Sequence, residues 1–351
     1  MFEQLCAELP WSQRLAEVWR MQDPEERDAS LALRCGHGNK LRKAVGWYRT
    51  HGRLHTGDPI AMAADALHAY RQDRLAGKDS LLICDTWEMA DALNRRLHDE
   101  LTADGPTVRA ARDQFIGVGD LIMSRHNDAT IEVRPGSGHR TGAPTDQVRN
   151  GHRWRVAAID RATNRLAAER TTDRARVVFD GDYVREHVTL GYAATVHSAQ
   201  GVTADCSHAI VGEGATRAML YVAMTRGRDD NQAYIYQRLT GESDHDHTAP
   251  VSSPEIHRVR RGDKYCAAHA FRMILGHDDR PRTMHAEADR TPRQLLPDEV
   301  SNLLRRHDQR LAARRAVWRE HTATTRAQQA AYERIATAGA ERDFDVNGLD
   351  L

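Results

Sequence analysis

The sequence lacks any cysteine pair at the C-x-x-C spacing of a zinc or redox site. Its five cysteines, Cys6, Cys35, Cys84, Cys206 and Cys266, stand far apart. That argues against a zinc framework or a secreted disulfide scaffold and points to a reducing, cytoplasmic setting. An excess of either charge is also missing: 50 Lys and Arg balance 50 Asp and Glu. The zero total excludes little, because a nucleic-acid binder needs only local basic clusters. No apolar run reaches the roughly 18 residues that span a bilayer. The opening "MFEQLCAELPWSQRL" has no basic stretch followed by an apolar one, so neither a leader nor a membrane partner is expected. The 19 histidines are scattered, and the "DHDH" of Asp244–His247 sits among Pro, Ser and Gly. We read it as solvated linker, and no metal site is expected.

What is present is a chain of 351 residues, 40% hydrophobic, enough for two domains or one large one. Residues 1–75 read as a helical lead-in. "DPEERDASLALR" and "DPIAMAADALHAYRQDRLAG" each open with an Asp cap and a Pro in the first turn, and Gly77 closes the second. "DSLLICD" reads as a buried strand and "TWEMADALNRRLHDEL" as the helix after it, half of an α/β layer unit. Residues 115–185 then change to short strand-like runs: "VGDLIMS", "ATIEVRP", "RWRVAAID", "NRLAAER" and "ARVVFD". Turn clusters separate them, giving a small barrel or a pair of hairpins. The α/β pattern resumes with strand-like "HVTLGYAATVH" and "CSHAIVG", a helix over "TRAMLYVAMTRGR" and a strand at "QAYIYQ". The β module is thus an insertion in an α/β domain spanning 76–240. Residues 241–292 read as linker with one possible helix at "KYCAAHAFRMIL", and 293–340 as a charged helix. On that helix Leu304, Leu311 and Trp318 recur every seventh position.

Two segments carry the candidate chemistry. In "TVHSAQG", Gln200 and Gly201 fall just past a strand end, where ligands of open α/β sheets sit. Glycine lets backbone amides approach a phosphate, and Gln and His offer neutral polar contacts. In "YVAMTRGR" the expected helix ends in Thr225, Arg226, Gly227 and Arg228. An arginine held at a rigid helix end can reach a transferred phosphoryl group, a contact worth about 10³–10⁵ in rate.

These segments resemble motifs V and VI of superfamily 1 DNA helicases, and most closely the RecD-like helicase part of TrwC/TraA-type conjugative relaxases. "YAATVHSAQG" is similar to that family's Thr-x-His-x-x-Gln-Gly motif and "YVAMTRGR" to its Tyr-x-Ala-x-Thr-Arg motif. "GDLIMSRHND" and "VRNGHRWRV" resemble paired segments of its SH3-like barrel insertion. "LLICDTWEMADALN" resembles the opening of its second RecA-like motor domain. The likeness covers about residues 75–240 and extends weakly into "DPEERDASLALR" and "YRTHGRLH". It implies a RecA-like (P-loop NTPase-type) α/β domain. Arg226 would be the finger toward the ATP γ-phosphate, with Arg228 beside the nucleotide. Gln200 and Gly201 would couple the nucleotide cleft to DNA, and Thr195 and His197 would touch single-stranded DNA. Arg125, Asn127 and Asn94 are further candidate DNA contacts, and for Asn94 a structural cap is the equal alternative.

The phosphate-cradling loop G-x-x-x-x-G-K-[ST] of such a motor has no match. "GHGNKL" has the wrong spacing, and "AGKDS" precedes its strand and puts Asp79 where the hydroxyl belongs. No acidic pair for magnesium ends a strand, and the relaxase's nucleophilic Tyr and His cluster have no counterpart. The expectation is therefore a partial motor that uses ATP and Mg²⁺ only when a separately encoded relaxase/helicase half supplies the phosphate loop. The alternatives are a non-catalytic single-stranded-DNA module, or a remnant of a split gene, and more remotely a His-based metal enzyme.

Overall fold

The computed structural model describes residues 9, 20–102, 105–136, 146–237, 260–277, 287–288 and 291–346; it gives no side-chain placement for residues 35, 293 and 327–346. The chain divides into a unit of Glu17–Asp279 and a unit of Met1–Ala16 with Arg280–Leu351.

The larger unit is built on one parallel sheet. Its strands are β1 (Leu54–Gly57), β2 (Ser80–Cys84), β12 (Ala193–Thr195), β13 (Ala204–Gly212) and β14 (Gly227–Tyr236), in the order β1-β14-β13-β2-β12. Side chains alternate across a strand, and here both faces are apolar, as a doubly covered parallel sheet requires. Leu82 and Cys84 of β2, Ile210 of β13, and Tyr234 and Tyr236 of β14 enter one core. Leu81, Ile83, Ala209, Val211, Ala233 and Ile235 enter the other.

The first core is covered by α3 (Pro59–Leu75) and α4 (Trp87–Thr102), whose Met62, Leu67, Leu93 and Leu97 are buried in it. The second is covered by α1 (Pro24–Cys35), α2 (Gly38–Thr50), α6 (Arg217–Ala223) and α7 (Lys264–Gly276). The expected Asp caps form: Asp23 accepts from the amides of Glu25 and Glu26, and Asp58 from that of Ala61 at 2.8 Å. The stretch read as linker contains α7, which buries Ala267, Phe271, Ile274 and Leu275 along one stripe against the sheet. Residues 238–259 and 278–286 of that stretch, Asp244–His247 among them, lie outside the described residues. The lead-in also contributes an edge strand, since β1 pairs with β14.

Between α4 and β12 the chain makes the β module, beginning with a small ribbon of β3 (Thr107–Arg109) and β4 (Phe115–Gly117). An antiparallel sheet follows in the order β10-β9-β8-β5-β11: β5 (Leu121–Ser124), β8 (Arg153–Asp160), β9 (Arg165–Arg170), β10 (Arg176–Phe179) and β11 (Val188–Leu190). A hairpin of β6 (Asp128–Val133) and β7 (Asp146–Val148) and the short helix α5 (Gly181–His187) complete it. The run "HVTLGYAATVH" is two strands, not one. Val188–Leu190 pairs with β5 of the module and Ala193–Thr195 with β2 of the parallel sheet. The break comes at Gly191, where a Cβ would lie 2.8 Å from the Ile122 carbonyl carbon.

In the other unit, α8 (Asp298–Val346) is a 49-residue helix. Leu304, Leu311 and Trp318 are among its partly covered positions, with Val300, Ser301, His307 and Thr322, in a mostly exposed surface. Among the described residues no helix is long and apolar enough to cross a membrane.

Candidate functional site

β12 ends at Thr195 at the carboxyl edge of the sheet. The Thr195 carbonyl accepts from the Ala199 amide at 2.9 Å, and the Thr195 hydroxyl donates to Ser198 Oγ at 2.8 Å. Val196, Ala199 and Val202 are buried, while His197, Gln200 and Gly201 are exposed. Every third residue thus anchors the loop, and the polar residues between are held outward. Gly201 has φ +85°, a conformation that side-chain-bearing residues rarely adopt. Arg125, just after β5, reaches across from the module and donates to Ser198 Oγ at 2.7 Å.

The loop then returns to the opposite edge. Thr195 is level with Cys84 and hence with Ile210, six residues along β13 from Ala204. The return therefore covers roughly 20 Å along the strands. At its end the Ala204 amide donates to the Arg226 carbonyl at 3.1 Å. The loop of the first motif and the arginine of the second meet at the amino ends of β13 and β14.

The helix of the second motif stops at Ala223, earlier than its sequence suggests, because Gly227 and Arg228 are already paired in β14. Arg226 lies in the turn between them. Its Nε donates to the Val222 carbonyl at 2.9 Å and its Nη2 to Thr225 Oγ1 at 3.0 Å. Carbonyls at a helix end are a favourable seat for a cation. Arg20 donates to the Thr225 carbonyl, bringing a second guanidinium alongside. Burial first, and then Arg20, hold the Arg226 guanidinium below its usual range, though it stays charged near neutral pH. Neither arginine has a carboxylate partner among the described residues. Arg228 is exposed and pairs with Asp205 at 3.3 Å. With Gly201 it lines a cavity of about 400 Å³ whose far wall includes Arg170 and His152 of the module.

At the carboxyl edge a second pair of arginines forms. Burial, and then nearby Arg112, lower the pKa of Arg125. Arg112 lies 3.8 Å from the centre of the Trp87 ring, in cation–π contact. Arg112 and Asp113 both have positive φ, +61° and +55°. Gln114 anchors their loop, donating to Asp91 at 2.7 Å and accepting from the Leu190 amide at 2.8 Å.

Two sequence candidates have other partners. Asn94 is 1% exposed, so it faces the core and not a solvent-borne strand. It donates to the Ala193 carbonyl at 2.9 Å and accepts from the amides of Ala193 and Tyr192 at 2.8 and 3.1 Å, clamping β12. Asn127 is exposed, and its Oδ1 accepts from the Asn150 amide at 2.7 Å, joining two turns of the module. Sequence reasoning missed Arg20, Arg112 and Trp87. "AEVWRMQ" carries no motif that it recognised, and the Trp87–Arg112 contact exists only in three dimensions. Among the described residues no group of three His, Cys, Asp or Glu could hold a metal ion.

Two family models match: "Rv2311 SH3-like barrel domain" over residues 108–189 and "AAA domain" over residues 1–59. Rv2311 of Mycobacterium tuberculosis H37Rv is 50% identical over 119 residues, 32% of this chain and 68% of that protein. The probable conjugal transfer protein TraA of Sinorhizobium fredii is 27% identical over 243 residues, 65% of this chain and 20% of that protein. TraA of Agrobacterium fabrum is 27% identical over 238 residues, 63% of this chain and 19% of that protein. The chain thus spans about a fifth of each TraA. Among solved structures, the Pif1 helicase of Candida albicans is 16% identical with a TM-score of 0.39, covering 64% of this chain and 57% of that one. The chain therefore belongs to the family of Rv2311 and carries that family's SH3-like barrel domain at residues 108–189.

Proposed function

We propose that this chain is the carboxyl-terminal motor part of a conjugative DNA helicase. Arg226, with Arg20 beside it, reaches the γ-phosphate of an ATP held on a phosphate-loop domain that this sequence does not contain. That domain, of relaxase/helicase type, also brings the magnesium. Thr195, His197 and Arg125, with Arg112 and Trp87, contact single-stranded DNA at the other edge of the sheet. Gln200 and Gly201 lie on the loop that joins the two. The carrying observation is that loop: it leaves the Arg125–Ser198 contact and ends on the Arg226 carbonyl.

The residues present fit half of a nucleotide site. Among the described residues they offer two guanidiniums to phosphate oxygens, but no cradle of amides and no cluster of magnesium ligands. A finger with no phosphate opposite it has no transition state to stabilise. A binding-only reading is favoured by one observation, the absence of the G-x-x-x-x-G-K-[ST] sequence.

The test mixes the chain with a phosphate-loop domain from a TraA relative and follows ATP hydrolysis with and without single-stranded DNA. The chain alone is expected to be silent and the mixture to be DNA-stimulated. Rapid turnover by the chain alone, or a mixture indifferent to Arg226→Ala, contradicts the proposal. Stimulation that never appears, with DNA binding intact, favours the binding module.

A further inference from the structure

A second basic site lies where α3 meets the barrel, apart from both arginine pairs. α3 ends at Leu75, and Gly77, with φ +77°, turns the chain toward β2. This brings Arg74 and Lys78 to a cavity of about 460 Å³. Arg155 of β8 and Arg174 of the turn after β9 line the same cavity from the barrel side. None of these four has an ion-pair partner among the described residues. The acids at the rim are engaged elsewhere, Asp79 with Arg153 at 2.8 Å and Glu169 with Arg176 at 3.7 Å. Arg174 is held in a left-handed conformation, φ +59°, with its amide donating to the Arg170 carbonyl at 3.0 Å. Partial desolvation at the cavity wall, followed by Arg74, lowers the pKa of Arg155, so two of the guanidiniums feel each other. Four like charges gathered in a concave place repel one another unless an anion sits between them.

The basin is one end of a longer trough. Arg170 and Thr171 form its wall on one side and also line the neighbouring cavity that contains Gly201 and Arg228. A small anion would fill the basin alone, whereas a repeating anion can follow the trough. No aromatic ring lines the basin, so nothing there would stack on a base.

We propose that this basin binds the phosphodiester backbone of a nucleic-acid strand that runs along the barrel seam from the Gln200–Gly201 turn. Recognition is by charge and carries no sequence preference. The assignment does not depend on the motor reading, since it needs neither nucleotide nor a partner domain.

The test uses the full chain without nucleotide and a fluorescent oligothymidylate of about 20 residues, a length within reach of such a groove. Binding is measured across a salt series for the wild type and for Arg155→Ala/Arg174→Ala. Both side chains are exposed, and the thermal midpoint checks that the variant folds. Two lost phosphate contacts should reduce affinity roughly tenfold and flatten the log–log salt slope by about 1.4, at about 0.7 per contact for single strands. Arg155→Lys/Arg174→Lys should restore most of the slope. A parallel arm follows thermal stabilisation by pyrophosphate. If the double Ala variant loses that stabilisation but keeps its oligonucleotide slope, the basin takes small phosphates and the backbone assignment is overturned. If neither readout changes, the site itself is overturned.

Discussion

The two edges of the parallel sheet hold the same kind of group in opposite company. At the amino edge, Arg226 and Arg20 rest on backbone carbonyls and the Thr225 hydroxyl; Tyr221 lies near both, but among the described residues no ring stacks under either guanidinium. At the carboxyl edge, Arg125 and Arg112 sit with an exchangeable hydroxyl, Ser198, and an indole, Trp87. Guanidiniums fixed by carbonyls keep their charge for something that arrives from outside and is small and highly charged. Guanidiniums beside an aromatic ring make a platform on which flat bases can stack and phosphates can be neutralised. On the proposed reading, this difference in surroundings, more than the shared residue type, would separate a phosphoryl-transfer role from a strand-holding one.

That contrast can be broken in several ways. The largest effect is expected at the amino edge. In the motor completed by a phosphate-loop domain, Arg226→Ala should cut DNA-stimulated ATP hydrolysis by about 10³ or more while single-strand affinity stays level. Arg226→Lys should recover little, because an ammonium lacks the fork that grips two oxygens. Equal losses in hydrolysis and DNA affinity would erase the distinction.

Next come lesions at the carboxyl edge. Trp87→Ala should weaken oligothymidylate binding by about 1–3 kcal/mol, measured by fluorescence anisotropy, with little dependence on salt. Arg125→Ala should weaken it in a salt-dependent way. If both show the same salt dependence, the stacking role of Trp87 is wrong.

Asn94→Ala tests what holds β12 in place. Two amides and a carbonyl lose their partner in a buried site, which should cost about 1–3 kcal/mol in urea unfolding. A direct DNA role for Asn94 would instead lower affinity with stability intact.

The smallest effect is that of pH on the rest of the unit. Burial holds His55 and His152 below the usual imidazole value, with Arg170 adding to the effect at His152. A histidine whose folded pKa is depressed favours folding while it is neutral. Its contribution is complete above the unfolded value of about 6.5 and is lost as pH falls from there toward the folded value. The urea midpoint should fall as pH drops below about 6.5, and His152→Gln should flatten part of that fall.

Much of this architecture is legible in the chain. "DSLLICD" is short, apolar throughout and bounded by Asp, and it becomes the fully buried β2. The Asp-Pro pairs at 23–24 and 58–59 start helices as capping chemistry requires. The five strand-like runs of the module all form strands. The failures have physical causes. β1 is four residues long and is a strand only because β14 lies beside it. The helix expected at "KYCAAHAFRMIL" forms, but its packing on the domain, in a stretch read as linker, depends on a sheet surface that the local sequence does not reveal. Helix periodicity continues through "MTRGR", but pairing with β13 claims Gly227 and Arg228 for a strand. For Asn94 the sequence left capping and DNA contact level, and its side chain bonds the backbone of Tyr192 and Ala193. The arginine pairs bring together residues 13 and 206 positions apart, beyond any local pattern.

The most direct test concerns the loop between the edges. In the completed motor, single-strand affinity should differ between the ATP-analogue-bound and nucleotide-free states, and Gln200→Ala should abolish that difference. Nucleotide binding and DNA binding should each survive on their own. If Gln200→Ala leaves the nucleotide-dependent change in DNA affinity as large as in the wild type, the loop from Thr195 to Thr203 does not connect the two sites.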